Sequence, residues 1–203
     1  MPTQWGDREA RRRDILEAGR MLLRENGIGE LQMRGVAQRA GVGLGTVYTY
    51  FATKEALYAA MYAERLDRML AEIEPELAAA DDLGELFVLI ATAYRDVYAE
   101  FGKELDVLSL VGRKDDLDPA TADQLVMAAG RLLAALQSFG SRLGLEEPEL
   151  ALVVLWSTVV GLADHFTSLR RHMHSYTWDQ AVGMAARTFV CGLLPKDVRY
   201  ESR

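Results

Sequence analysis

Apolar residues recur at three- and four-residue spacing along almost the whole chain, and no segment alternates with period two for long enough to make a strand. This periodicity restricts the fold to packed helices. Ile15, Ala18, Leu22 and Leu23 form one stripe over residues 9–26, with Gly27 as the stop. Short helices are expected over 33–40 and 44–51, divided by Gly41-Val42-Gly43. From Thr53 a long helix carries Leu57, Met61, Leu66, Met69 and Ile73, and Pro75 either kinks it or starts a new piece. Asp82 stands three residues before Glu85, an Asp form of the capping box, ahead of a helix over 86–101. Asp118-Pro119 opens a helix to about Leu143, with Gly144 behind it. Pro148 opens the next, to about His174, and Thr177 with Gln180 caps a final helix that ends before Pro195. The expected fold is all-α, about nine helices, with a boundary near residue 53.

Charge sharpens that boundary. The 203 residues carry 23 Lys and Arg against 30 Asp and Glu, a net charge of -7, which counts against a nucleic-acid partner. Residues 1–55, however, hold nine basic and seven acidic side chains, while the remainder holds 14 and 23. One end can approach a polyanion and the other cannot. The single Cys191 makes no intrachain disulfide and no thiolate zinc cluster, which fits a reducing compartment. No charged-then-apolar leader opens the chain, and the longest apolar stretch, Leu150–Gly161, is shorter than the roughly 20 residues that span a bilayer. The expectation is a soluble, cytoplasmic protein with no membrane partner.

The most specific segment is Gln32–Leu57, QMRGVAQRAGVGLGTVYTYFATKEAL. A short helix, a glycine-containing turn and a second short helix have the spacing of a helix-turn-helix. Ala37 is small where the two helices must approach, and Gly41 suits a turn that takes positive φ. Val36, Val42, Val47 and Phe51 are the expected buried contacts. Leu44, Gly45, Thr46, Tyr48, Thr49 and Tyr50 then face outward. Hydroxyls can donate to phosphates, Thr and aromatic carbons can meet a thymine methyl group, and Arg34 and Lys54 add cations on either side.

In these residues the chain resembles the TetR family of bacterial transcriptional regulators. The likeness lies in Ile15-Leu16, Ala18, Gly27, Val36-Ala37, Ala40-Gly41-Val42, Gly45-Thr46-Val47-Tyr48, Tyr50-Phe51 and Lys54-Glu55-Ala56-Leu57. It implies an N-terminal three-helix DNA-binding domain, residues 1–53, and a larger helical domain for effector binding and dimerisation, residues 54–203. The chain departs from the family pattern at Gln32, Gly43, Leu44 and Thr49. Leu44 removes a basic contact from the recognition helix, so Arg8, Arg11, Arg12 and Arg13 are expected to compensate through phosphates.

The helix after Pro148 is apolar nearly all round, from Leu150 through Val153, Trp156 and Val160 to Phe166, as a helix buried on every side would be. Covering it and the last helix requires a partner chain. The resemblance implies a homodimer through the helices at about 148–174 and 177–194, which sets two recognition helices about 34–36 Å apart on a palindromic duplex operator. It also implies a small-molecule pocket. Candidate lining residues are Met61, Tyr62, Tyr94, Tyr98, Leu108, Met127, Trp156 and Phe166, with Arg65, Arg95, Arg131, Asp164 and His165 as polar anchors. Mostly apolar walls suit a lipophilic or aromatic effector that releases a repressor from DNA. No catalytic or metal-binding set and no cofactor motif is read: His172 and His174 lie two apart and share no helix face. The alternatives are an effector-independent DNA-organising protein and, from a third class, a helical enzyme.

Overall fold

The computed structural model describes residues 4–27, 31–102, 117–145 and 147–193 of the 203. Among them are eight α-helices: α1 Gln4–Asn26, α2 Met33–Arg39, α3 Leu44–Tyr50, α4 Lys54–Ala79, α5 Leu83–Phe101, α6 Pro119–Arg142, α7 Pro148–Thr167 and α8 Trp178–Leu193. No strand occurs among the described residues. The chain divides into two compact units, residues 1–66 with 103–129, and residues 67–102 with 130–203. Helices α4 and α6 each contribute residues to both.

In the first unit, α1 buries Ile15, Leu16 and Leu23, α2 buries Val36 and Ala37, and α4 buries Leu57, Tyr58 and Met61. Gly19 permits the close approach of α1 to α4: a Cβ there would lie 2.7 Å from Met61 Sδ. The Thr53 hydroxyl accepts from the Ala56 N–H at 3.0 Å and starts α4. Pro75 lies inside α4 and neither starts nor ends an element.

In the second unit, α5 is the central helix, packed against α7 and α8. Its Leu83, Leu86, Phe87, Ile90, Tyr94, Val97, Tyr98 and Phe101 are buried at helical spacing, each contributing about 1.5–3 kcal/mol of transfer free energy. The Asp82 carboxylate accepts from the Glu85 N–H at 2.8 Å, as the capping pattern requires. Helix α6 ends at Arg142 and is closed behind by Gly144, where φ is +66°, and the Leu145 N–H reaches back to the Gly140 carbonyl at 3.3 Å. Arg142 then donates to the Leu77 and Ala78 carbonyls, at 2.8 and 3.3 Å, satisfying the end of α4.

One expectation about α7 needs correction. It stops at Thr167 rather than near His174, and a 3₁₀ turn, Leu169–Met173, follows. The cause is local. Ser168 takes an extended backbone, and its hydroxyl donates to the His165 carbonyl and accepts from the Arg170 N–H. Within one chain α7 buries Ala151, Leu152, Val159 and Ala163 and leaves Leu150, Val153 and Val154 exposed, Val153 at 62%, the face for which the sequence reading expects a partner chain. At 20 residues α7 is also longer than the apolar stretch within it, and it is long and apolar enough to cross a membrane by length and composition alone. The final helix begins with a reciprocal cap, Thr177 N–H to Gln180 Oε1 at 2.9 Å and Gln180 N–H to Thr177 Oγ1 at 3.3 Å.

Candidate nucleic-acid interface

Helices α2 and α3 meet through a turn whose geometry follows from its glycines. Gly41 has φ +66°, and the Val42 N–H returns to the Ala37 carbonyl at 3.0 Å. Gly43 has an extended backbone and supplies the carbonyl that accepts from Thr46 at 2.9 Å, but it has no side chain to cap α3. Val47 and Phe51 close α3 onto Val36 and Ala37 in the core, whereas Val42 is only half-buried.

What α3 presents outward is Gly45, Thr49 and Tyr48, the last 49% exposed. Leu44, Thr46 and Tyr50 are half-buried at its edges. The Thr49 hydroxyl donates to the Gly45 carbonyl at 2.9 Å, leaving its lone pairs outward. Arg34 is exposed on α2, and Lys54 is half-buried at the first turn of α4. A polar surface groove lined by Arg8, Arg11, Gly41, Gly43, Thr46 and Tyr50 runs beside the start of α3. This face is short of charge and rich in hydroxyls.

The arginines of α1 do not all face that groove. Arg12 donates to Glu64 Oε1 at 3.1 Å and to Gln124 Oε1 at 3.0 Å, with its guanidinium 5.4 Å from the Phe51 ring centre. Arg20, only 7% exposed, donates to Glu64 Oε2 at 2.7 Å and to Glu17. Burial works against its charge, but the hydrogen bonds to Glu64 and Glu17 outweigh that and raise its pKa above the ordinary value. Arg39 pairs with both oxygens of Glu25 at 2.6 and 2.7 Å, tying α2 to α1 and holding the Glu25 carboxyl below its usual pKa. Glu64 and Gln124 escaped the sequence reading. Each lies on a helix far along the chain from Arg12, and no local spacing links them.

The pocket candidates fall in different places. Met61 is fully buried against Gly19 and Tyr62 is half-buried, both in the first unit; Met127, also there, is 60% exposed. Leu108 lies outside the described residues. Tyr94, Tyr98, Trp156, Asp164, His165 and Phe166 lie in the second unit, with Arg95 and Arg131. Tyr94 packs on Trp156 with ring centres 4.6 Å apart, and the Tyr98 hydroxyl donates to Asp164 at 2.9 Å. Burial, then that bond, pushes the Tyr98 phenol well above its usual pKa. Arg170 donates to the other Asp164 oxygen at 2.6 Å. His165 and His174 bring their Nε2 atoms to 2.7 Å, while the Tyr176 N–H donates to His174 Nδ1 at 3.2 Å. His174 Nε2 therefore carries the shared proton and His165 Nε2 accepts it. Phe166 meets His174 and Trp178 edge-on, each at 5.7 Å. Of the other polar candidates, Arg95 lies over Trp178 and Arg131 pairs with Asp67.

A cavity of about 30 Å³ lies beside Trp156, walled also by Leu83, Leu86, Phe87, Ile90, Leu136, Phe139, Leu152, Leu155 and Val159. Of the candidates only Trp156 lines it. Aliphatic residues with Phe87 and Phe139 make the rest of its wall, and in a sequence those read as core. Among the described residues no group of three or more His, Cys, Asp or Glu could hold a metal ion.

Residues 15–61 match the family of bacterial regulatory proteins described as the tetR family. The fatty acid metabolism regulator protein of Bacillus subtilis (strain 168) is 26% identical over 85 residues, which are 42% of this chain and 44% of that protein. The transcriptional repressor KstR of Rhodococcus jostii (strain RHA1) is 41% identical over 59 residues, 29% of this chain and 28% of the relative. The chain thus spans less than half the length of these curated relatives. The crystal structure of the regulator FadR from Bacillus subtilis in complex with stearoyl-CoA shares the fold over 87% of this chain and 96% of that one, with a TM-score of 0.58 and 18% identity.

Proposed function

We propose, for a chain whose residues 15–61 match the tetR family of bacterial regulatory proteins, the function of a ligand-responsive, DNA-binding transcriptional repressor. The observation that carries this reading is α3: a seven-residue helix locked by Val47 and Phe51, with Gly45, Tyr48 and Thr49 presented outward. Such a helix reads base edges in a major groove, while Arg34, Lys54, Arg8 and Arg11 approach the phosphates. The DNA-reading part is residues 1–53, and residues 54–203 bind effector and dimerise.

The protein acts in the cytoplasm as a homodimer on a palindromic site. The exposed apolar row Leu150, Val153 and Val154 on α7, with Met184 on α8, supports a second copy as its cover. The effector is lipophilic, of the long-chain fatty-acyl class. Two observations support this: the hydrocarbon wall of the cavity beside Trp156, and the stearoyl-CoA held by the Bacillus subtilis regulator of like fold. Tyr94, Tyr98, Asp164, His165 and Phe166, in the same unit as the cavity, are its candidate aromatic and polar contacts. Effector entry must enlarge the cavity, and the continuous helix α4 carries that change to the DNA-reading part. A coupling of roughly 1–3 kcal/mol suffices.

Gel shift with the DNA immediately upstream of its own gene tests this, with and without stearoyl-CoA. A discrete dimer complex that the acyl-CoA dissolves supports the reading, and a complex that no acyl-CoA alters removes the effector part. The second reading is an effector-independent DNA-organising protein, and the small volume of the cavity favours it. Binding that coats any duplex equally well would select it.

A further inference from the structure

The basic start of α1 suggests phosphate contacts, yet Arg12 is tied to Glu64 and Gln124 inside its own unit. One carboxylate, Glu64, holds two arginines of α1, one on each oxygen: Arg12 at 3.1 Å and Arg20 at 2.7 Å. Glu17 completes a set of two cations and two anions around Arg20. The second amino group of Arg12 is taken by Gln124 at 3.0 Å on α6. Its guanidinium lies over Phe51, the residue that ends α3 and whose N–H closes on the Val47 carbonyl at 2.9 Å. So α1, the end of the recognition helix, α4 and α6 meet at a single side chain.

We propose that Glu64 and Arg12 are positioning residues for DNA reading: Glu64 fixes Arg12, Arg12 seats Phe51, and the clasp sets the angle at which α3 leaves α1. The proposal rests on the DNA-reading function above. A planar fork is needed at Arg12, because one group must satisfy Glu64 and Gln124 at once while lying over a ring. A lysine offers a point charge and cannot do both. The clasp is electrically neutral, so it adds no net attraction for DNA. Its contribution is to populate one arrangement of the head, and apparent affinity falls in proportion when that arrangement is less populated.

This assignment predicts effects opposite in sign to simple electrostatics. Glu64→Gln removes a negative charge and frees Arg12, so a purely electrostatic role predicts tighter DNA binding. The clasp predicts binding about tenfold weaker. Arg12→Ala likewise weakens binding while leaving the slope of log affinity on log salt unchanged; a phosphate contact would lower that slope by about 0.9. Arg12→Lys does not rescue the clasp, but would rescue a phosphate contact.

The experiment is a salt titration of the full chain and these three variants on the duplex upstream of its own gene. It is paired with hydrogen exchange of the Val47–Phe51 amides in the absence of DNA. Weaker binding at constant slope, with faster exchange confined to the head, supports the proposal. Tighter binding by Glu64→Gln, a reduced slope for Arg12→Ala, or rescue by Arg12→Lys overturns it. If the wild-type chain binds no DNA, the DNA-reading function fails. The exchange arm still judges the clasp, and unchanged amides overturn it.

Discussion

The helix-turn-helix end and the α5–α7–α8 assembly are built from the same helical periodicity but held by different forces. The first relies on short helices, a positive-φ glycine turn and polar ties such as Arg12–Glu64 and Arg39–Glu25. The second relies on aromatic and aliphatic packing around α5, with Phe87 on Phe189 at 5.0 Å and Tyr94 on Trp156. Polar ties specify direction and therefore suit a surface that must present Tyr48 and Thr49 at one angle. Apolar packing is non-directional, which suits the proposed role of a wall that yields to a ligand.

The largest expected effects break this contrast directly. Phe51→Ala and Phe139→Ala each cost about 3–5 kcal/mol in denaturant unfolding, because both rings are buried completely or nearly so. Hydrogen exchange separates them: Phe51→Ala loosens α2 and α3, and Phe139→Ala loosens α5–α7. Loss of protection across both sets in either variant would make the molecule one cooperative body and dissolve the comparison.

Next comes the exposed row on α7. Val153→Glu weakens self-association by more than tenfold in sedimentation while shifting monomer stability by less than about 0.5 kcal/mol. An unchanged dimer would place the interface elsewhere.

Two glycines sharpen the comparison at smaller scale. Gly19→Ala drives a Cβ to 2.7 Å from Met61 Sδ, an overpacking cost of about 1–3 kcal/mol. Gly130→Ala meets nothing within 4 Å and gains about 0.5–1 kcal/mol from helix propensity. Thermal unfolding should move in opposite directions.

These pairs also mark what the sequence disclosed. The turn around Gly41, the caps at Asp82 and Thr177 and the stop at Gly144 depend on neighbours within five residues, so their residues announced them. The end of α7 was missed because Ser168 breaks it through its own hydroxyl, while His165 to His174 keeps a helical look in one dimension. Glu64 and Gln124 were missed because their partner Arg12 lies 52 and 112 residues away. The cavity wall was missed because Leu and Ile facing a void read like Leu and Ile facing each other.

An effect of similar size concerns the cap of α6. Burial opposes the Asp118 carboxylate, but hydrogen bonds from the Thr121 hydroxyl and N–H, at 2.7 and 3.0 Å, outweigh it and hold its pKa below the usual value. The stabilisation, about 1 kcal/mol for a cap of this kind, is complete above the unfolded chain's carboxylate range. It is lost as pH falls through the depressed folded-state value. Asp118→Ala should therefore cost stability at pH 7 and progressively less in acid. A pH-independent difference would reject the assignment.

The central claim is that α3 reads a two-fold symmetric DNA site, and footprinting on the DNA upstream of the chain's own gene tests it most directly. The account predicts two protected half-sites about one helical turn apart, centred on a palindrome and lost in Tyr48→Ala. Uniform protection without a palindrome, or a footprint that survives Tyr48→Ala unchanged, would contradict it.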